Sequence, residues 1–154
     1  MARRHESLIP LAKDHYEGLL LVQQLREHNR AIMTGWPKTP TDQARFVARF
    51  YDEHLKKHFE AEEQALFPPA SERVPASCTI VQELLREHRT IEEEVAQFRT
   101  ASGNYPADAL QQSATLLEEH IRKEDRVLFP LLENEATPEV LEAMRQKLAP
   151  YYPG

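Results

Sequence analysis

Cysteine occurs once, as Cys78, so one chain can form neither an intrachain disulfide nor a thiolate cluster. Any metal site in it must then draw on nitrogen and oxygen donors. Glycine is scarce, at four residues in 154, and there is no glycine-rich phosphate loop and no recognisable nucleophile motif. The longest purely aliphatic run, LLLV at 19–22, is far too short to span a bilayer. The opening MARRHESLIP is not followed by an apolar segment bounded like a signal peptide. Positive charge is outnumbered: a net charge of −6 and a pI near 5.7 argue against nucleic acid or an anionic membrane as partner. The chain therefore reads as cytoplasmic, and its length reads as one domain over 1–154.

No segment shows the β-branched alternation of a strand, so the expectation is all-α. With 41 % apolar residues, the chain can build a real core. The 11 prolines punctuate long helical stretches. The spacing predicts a first helix from about Ser7 to Arg30. A second runs from an N-cap signal at Thr41-Asp42 to Phe67, stopped by Pro68-Pro69. A third follows Ser77 and runs to about Ala101, and a fourth follows Pro106 and ends near Glu133. Four helices with short connections make an up-down-up-down bundle over about 7–133. A short fifth helix is signalled by Thr137-Pro138-Glu139, with Val140, Leu141, Met144 and Leu148 as its apolar stripe. The closing PYYPG reads as a loose tail.

Seven histidines are the unusual item. Two blocks, HFEAEEQALFP at 58–68 and HIRKEDRVLFP at 120–130, share one frame: His, Glu four residues on, and Leu-Phe-Pro from the eighth. LREH recurs as well, at 25–28 and 85–88, so the first two helices resemble the last two. Stepping by three, four and seven puts His15, His58, His88 and His120 on the apolar stripes of their helices. Glu62 and Glu124, one turn beyond His58 and His120, face inward too. A carboxylate in an apolar core costs several kcal/mol unless it is paired or bound. One inward histidine is ordinarily a hydrogen-bonded core residue, but four beside two inward glutamates point to a cation.

Height along the bundle tests whether these groups meet. His15 lies 23 residues before a turn near residue 38, and His58 and Glu62 lie 20 and 24 after it. His88 lies 17 before a turn near 105, and His120 and Glu124 lie 15 and 19 after it. At ~1.5 Å per residue the members of each set agree within about a turn, so all six can converge. His28 sits roughly 20 Å from His15 along the same helix, at the loop end. His54, one turn before His58, is a further candidate, and His5 reads as solvated.

Four imidazoles and two carboxylates suit Fe, Mn or Zn. If both glutamates bridge two octahedral ions, with an oxo or hydroxo bridge, about two of ~12 positions stay open. The order His-x-x-x-Glu differs from the Glu-x-x-His of ferritin-like bundles. HLKKH at 54–58 has the two-histidine spacing of zinc proteases, but Leu55 stands in place of their glutamate.

The pattern His15…His58-x-x-x-Glu62…His88…His120-x-x-x-Glu124, with Leu-Phe-Pro near the end of both blocks, resembles the hemerythrin-like HHE cation-binding domain over about 7–133. The resemblance implies a four-helix bundle holding two Fe ions in a non-haem di-iron centre. It implies His15, His58, Glu62, His88, His120 and Glu124 as the ligands. Oxygen-carrying members have a second histidine one turn along the third helix, where this chain has Glu92. Four histidines in place of five bring it nearer to iron-centre repair proteins and to relatives linked to nitric oxide, peroxide or iron handling. The implied role is handling O2, NO or H2O2 in redox or nitrosative stress or its sensing. The alternative is an iron-binding, storage or reporting module without turnover. The resemblance does not decide between enzyme and binding protein. Acid is expected to release the metal below about pH 6, leaving like-charged imidazolium groups in the core.

Overall fold

The computed structural model describes residues 3–153, and among these there are helices and turns but no strand. The expected all-α architecture holds: four long rods and a fifth short helix. The first rod is α1 (Ile9–Arg26), with Pro10 in its opening turn, where no N–H is missed. The second is assembled from α2 (Pro40–Phe50), a π-turn (Tyr51–Leu55), α3 (Lys56–Ala61), a second π-turn (Glu62–Leu66) and α4 (Phe67–Arg73). The third is α5 (Cys78–Arg99). The fourth joins α6 (Ala107–Lys123), a π-turn (Glu124–Leu128) and α7 (Phe129–Glu135), and α8 (Pro138–Leu148) is the fifth helix. No helix among the described residues is long and apolar enough to cross a membrane.

Four expectations are corrected. Pro68-Pro69 do not stop the second helix, and the fourth runs through Pro130 in the same way. In each case a π-turn directly precedes them, closed by Phe67 N–H to the Glu62 carbonyl and by Phe129 N–H to the Glu124 carbonyl. The wider turn makes room for the proline rings, and α-helix resumes with proline in its first turn. The first helix ends at Arg26, not Arg30, because the buried Gln24 side chain organises the loop instead. Its amide donates to the carbonyls of Glu27 (3.3 Å) and Arg30 (2.6 Å) and accepts from the N–H groups of Ile32 (2.9 Å) and Met33 (2.7 Å). The second helix starts two residues before the expected cap: Thr39 accepts from the Asp42 N–H at 3.2 Å and Pro40 takes the first position. Finally, the tail is tied down. A 3-10 turn (Ala149–Tyr151) follows α8, and the Tyr152 hydroxyl donates to Asp14 Oδ2 at 2.6 Å.

The two loops at one end turn on Gly35 (φ 78°) and Gly103 (φ 66°), a backbone region open to glycine. Two apolar clusters fill the interior. One, with Leu21, Val47, Phe59, Val95, Phe98 and Leu117, lies toward those loops. The other, with Leu11, Leu66, Leu84, Leu128, Phe129 and Met144, lies toward α8. Along α1, His15 falls between Leu11 of one cluster and Leu21 of the other; along the fourth rod, Glu124 falls between Ile121 and Leu128. The polar residues thus form a layer inside the core. Gly18 lets α1 and α6 approach there, since a Cβ on it would meet Ile121 Cδ1 at 2.8 Å.

Candidate metal centre

The six side chains singled out by the sequence are all buried, with 0–3 % of their surface exposed. They fall into two donor groups. His15, His58, Glu62 and Glu124 form one; Glu62, His88 and His120 form the other; within each, the donor atoms lie within 4.8 Å of one another. Glu62 belongs to both. Its Oε1 is 3.0 Å from His88 Nε2 and its Oε2 is 3.4 Å from His58 Nε2. Glu124 Oε1 is 3.0 Å from His15 Nε2, 3.7 Å from His58 Nε2 and 3.8 Å from His120 Nε2. Two carboxylates and four rings therefore present oxygen and Nε2 to one small volume.

Each ring is fixed by a carboxylate on its far side. His15 Nδ1 donates to Asp125 (2.8 Å), His58 Nδ1 to Asp14 (2.9 Å), His88 Nδ1 to Glu63 (2.7 Å) and His120 Nδ1 to Glu87 (2.8 Å). An ionised carboxylate only accepts, so the proton sits on Nδ1 and Nε2 is left to face the centre. Such outer carboxylates orient a metal-ligating histidine and raise its basicity. Reading the sequence for inward positions missed all four. The available signal was adjacency: Asp14 precedes His15, Glu63 follows Glu62, Glu87 precedes His88 and Asp125 follows Glu124.

Aromatic rings hold the imidazoles from the sides. Phe59 stacks on His88 at 3.8 Å between centroids, and Phe67 lies on the same ring at 5.6 Å. Phe129 stacks on His15 at 5.7 Å.

The remaining histidines lie elsewhere. His54 is 40 % exposed and pairs with Glu17 at 2.8 Å; the π-turn that contains it displaces it from the His58 face. His28 lies beyond the end of α1, where its carbonyl accepts from the Trp36 indole at 3.1 Å. His5 Nδ1 is bonded to Ser7 Oγ at 2.8 Å, so it is a capping group of the N-terminal segment instead of a solvated one. Glu92 accepts from the Tyr51 hydroxyl at 3.2 Å and pairs with Arg89, outside both donor groups.

The charge balance of this layer is unusual for a core. Burial opposes charge on His15 and His88, yet the hydrogen bonds that Asp125 and Glu124 accept from the first, and Glu62 and Glu63 from the second, push both up to about 9. His58 is likewise raised well above its usual value, burial being outweighed by Glu62, Asp14 and Glu124. Against its own burial, Glu124 is held well below the usual carboxylate range by Glu62, His15 and His58. When no metal is bound, protons on His15, His58 and His88 thus supply positive charge beside these carboxylates. Even so, Glu62 Oε2, Glu124 Oε2 and His120 Nε2 find no hydrogen-bond partner. Buried polar atoms without partners are costly, and these three point at the space the donor groups share. The residues fit a cation.

A family model matches most of the chain. The hemerythrin HHE cation-binding domain matches residues 10–132, with a second, overlapping match over 79–147. The chain belongs to this family. The overlapping match starts inside the second half of the tandem, consistent with the likeness of the two helix pairs. No curated protein and no solved structure matches significantly. The HHE domain is therefore shown to hold buried His and Glu groups able to bind a metal cation.

Proposed function

We propose that this HHE domain is a non-haem di-iron protein whose centre handles a small diatomic or peroxide ligand, O2, NO or H2O2, in a redox or nitrosative stress response or its sensing. The supporting observation is Glu62, which turns one oxygen to His88 and the other to His58. A carboxylate so placed serves two cations at once. His15, His58, Glu62 and Glu124 would hold one ion, and Glu62, His88 and His120 the other. Donors of nitrogen and oxygen only suit iron, with Mn or Zn as substitutes. Iron, when bound, supplies one-electron redox chemistry. The protein supplies the dry surroundings, the oriented Nε2 lone pairs and the negative charge.

A second reading, iron binding, storage or reporting without turnover, is favoured by how deeply the six donors are buried. The net charge of −6 supports a small-molecule partner over nucleic acid or membrane, and the lone Cys78 suits a cytoplasmic setting. The deciding experiment is elemental analysis of protein made with ample iron, with optical spectra before and after O2 and NO. About two irons per chain and a spectrum that responds to either gas support the proposal. Absence of bound transition metal refutes it. Multiple-turnover consumption of peroxide or NO selects the first reading, and iron transfer without turnover selects the second.

A further inference from the structure

We infer that the two halves of the centre are unequal: the His15–His58 half takes the first and more tightly held cation, and the His88–His120 half the second. The inference rests on the two-cation reading above and concerns charge placed around it by this chain.

Within the donor groups, the His15–His58 half includes both Glu62 and Glu124, while the His88–His120 half includes Glu62 alone. Glu124 Oε1 makes its hydrogen-bond contact with His15 at 3.0 Å and stands 3.8 Å from His120. The inner carboxylates thus lean only slightly toward the His15–His58 half: Glu62 Oε1 is also 3.0 Å from His88, and Glu124 Oε1 is 3.7 Å from His58 against 3.8 Å from His120.

The outer carboxylates repeat the imbalance. Around the His88–His120 half both are neutralised. Glu63 pairs with Arg89, and Glu87 pairs with Lys123 at 2.5 Å, a lysine that Glu83 also approaches at 3.5 Å. Around the His15–His58 half neither Asp125 nor Asp14 has a side-chain ion pair with lysine or arginine among the described residues; Arg4 reaches only the Asp125 backbone carbonyl, at 3.1 Å, and Lys57 acts on Asp14 without contact. Asp14 instead accepts from the neutral Tyr152 hydroxyl at 2.6 Å, with Lys57 sitting over the Tyr152 ring at 4.7 Å. A carboxylate already paired with a cation gives less negative charge to the imidazole it holds and to any ion beyond it. Arg89 is 55 % exposed, so solvent screens much of its effect. Lys123, at 28 %, is screened less and carries most of the difference. Two helix pairs that look alike in sequence thus present unlike fields.

The test uses the full chain, made metal-free and titrated with Mn2+ under anaerobic conditions, following loss of the free-ion electron paramagnetic resonance signal. The wild type is expected to bind in two steps whose dissociation constants differ by about tenfold or more, the size of effect that outer partners exert on metal sites. His88→Ala keeps the tighter step and His15→Ala loses it. Lys123→Met leaves every donor in place and narrows the ratio by strengthening the weaker step, which keeps the test valid if either histidine variant fails to fold. Retention of the tighter step by His15→Ala, two equal steps in the wild type, or an unchanged or wider ratio in Lys123→Met overturns the inference and leaves the two-cation reading standing. A wild type that binds only one ion overturns that reading, and the inference with it.

Discussion

His88 donates its Nδ1–H to Glu63 at 2.7 Å, while the neighbouring residue, Glu62, stands 3.0 Å from the other nitrogen of the same ring. His15 is held in the same way between Asp125 at 2.8 Å and Glu124 at 3.0 Å. The phenylalanines of the two Leu-Phe-Pro segments, Phe67 and Phe129, stack on His88 and His15 respectively. Each repeated block is therefore a cradle for a histidine on another helix: two adjacent acids grip the ring ends and an aromatic covers a face. The π-turns begin at Glu62 and Glu124. Adding a residue to the turn brings successive side chains closer in direction, which lets both acids of a pair reach one ring.

Replacing Glu62 by Gln should weaken both cation sites, because one of its two oxygens becomes an amide that cannot ligate. Glu124→Gln should chiefly affect the site nearest His15, with a smaller effect beside His120. Metal content after equilibration against a chelator series checks this. A Glu62→Gln protein that loses one ion and holds the other at unchanged affinity would show that Glu62 does not bridge.

The outer carboxylates are open to the same measurement. Asp14→Asn and Glu87→Gln remove no donor to the cation, yet each loosens a ring and lowers its basicity. Metal affinity should fall by about 10–100-fold in each. Unchanged affinity would mean that packing by Phe59, Phe67 and Phe129 alone orients the imidazoles.

Much of this centre was legible in the residues. Apolar periodicity placed His15, His58, Glu62, His88, His120 and Glu124 on inward faces, and counting from the turns put them at one level, because rise per residue is nearly constant in a helix. What was not legible depended on exceptions to that regularity. Proline was read as a stop, since in an α-helix it costs a hydrogen bond and a clash, but a π-turn removes the clash. Gln24 acts through backbone groups of the irregular loop at 27–33, and Tyr152 through Asp14 at the other end of the chain. No local pattern marks such partners. The outer acids were not singled out, because each lies beside an inward residue and not on the apolar stripe.

Gln24→Ala tests the loop that ends α1. The buried side chain makes four hydrogen bonds to backbone groups of residues 27–33, and truncation leaves several of those unsatisfied. A loss of about 2–4 kcal/mol in unfolding free energy is expected, with metal content unchanged. Denaturant unfolding of both proteins would reveal it, and a change under about 0.5 kcal/mol would mean that water replaces the amide there.

His15 and His28 were rivals on one helix by sequence, and the structure separates them. His15 is 3 % exposed in the donor layer, while His28 lies in the loop beyond Glu27. His15→Ala should lose metal or change the optical spectrum of the iron-loaded protein. His28→Ala should retain both. The opposite pattern would place the centre at the loop end of the bundle and contradict the donor groups.

The metal-free protein should have an uncommon pH profile. His15 and His88, with ordinary values of 6.5, are raised to about 9 in the folded chain, and His58 is raised as well. Groups raised on folding stabilise the fold fully below about 6.5, and that stability is lost as pH climbs through about 9. Glu124 is depressed from 4.5, so its contribution is present above that value and fades as pH falls well below it. The metal-free chain should therefore be most stable between about pH 4.5 and 6.5 and melt at progressively lower temperature from there to pH 9. A bound cation replaces those protons, so Zn2+ or Mn2+ should raise the melting temperature more at pH 9 than at pH 6. Thermal melts across this range, with and without metal, measure both effects. A metal-free protein whose melting temperature rises from pH 6.5 to 9 would mean that the imidazoles are neutral in the core, and that protons do not occupy the place of the cations.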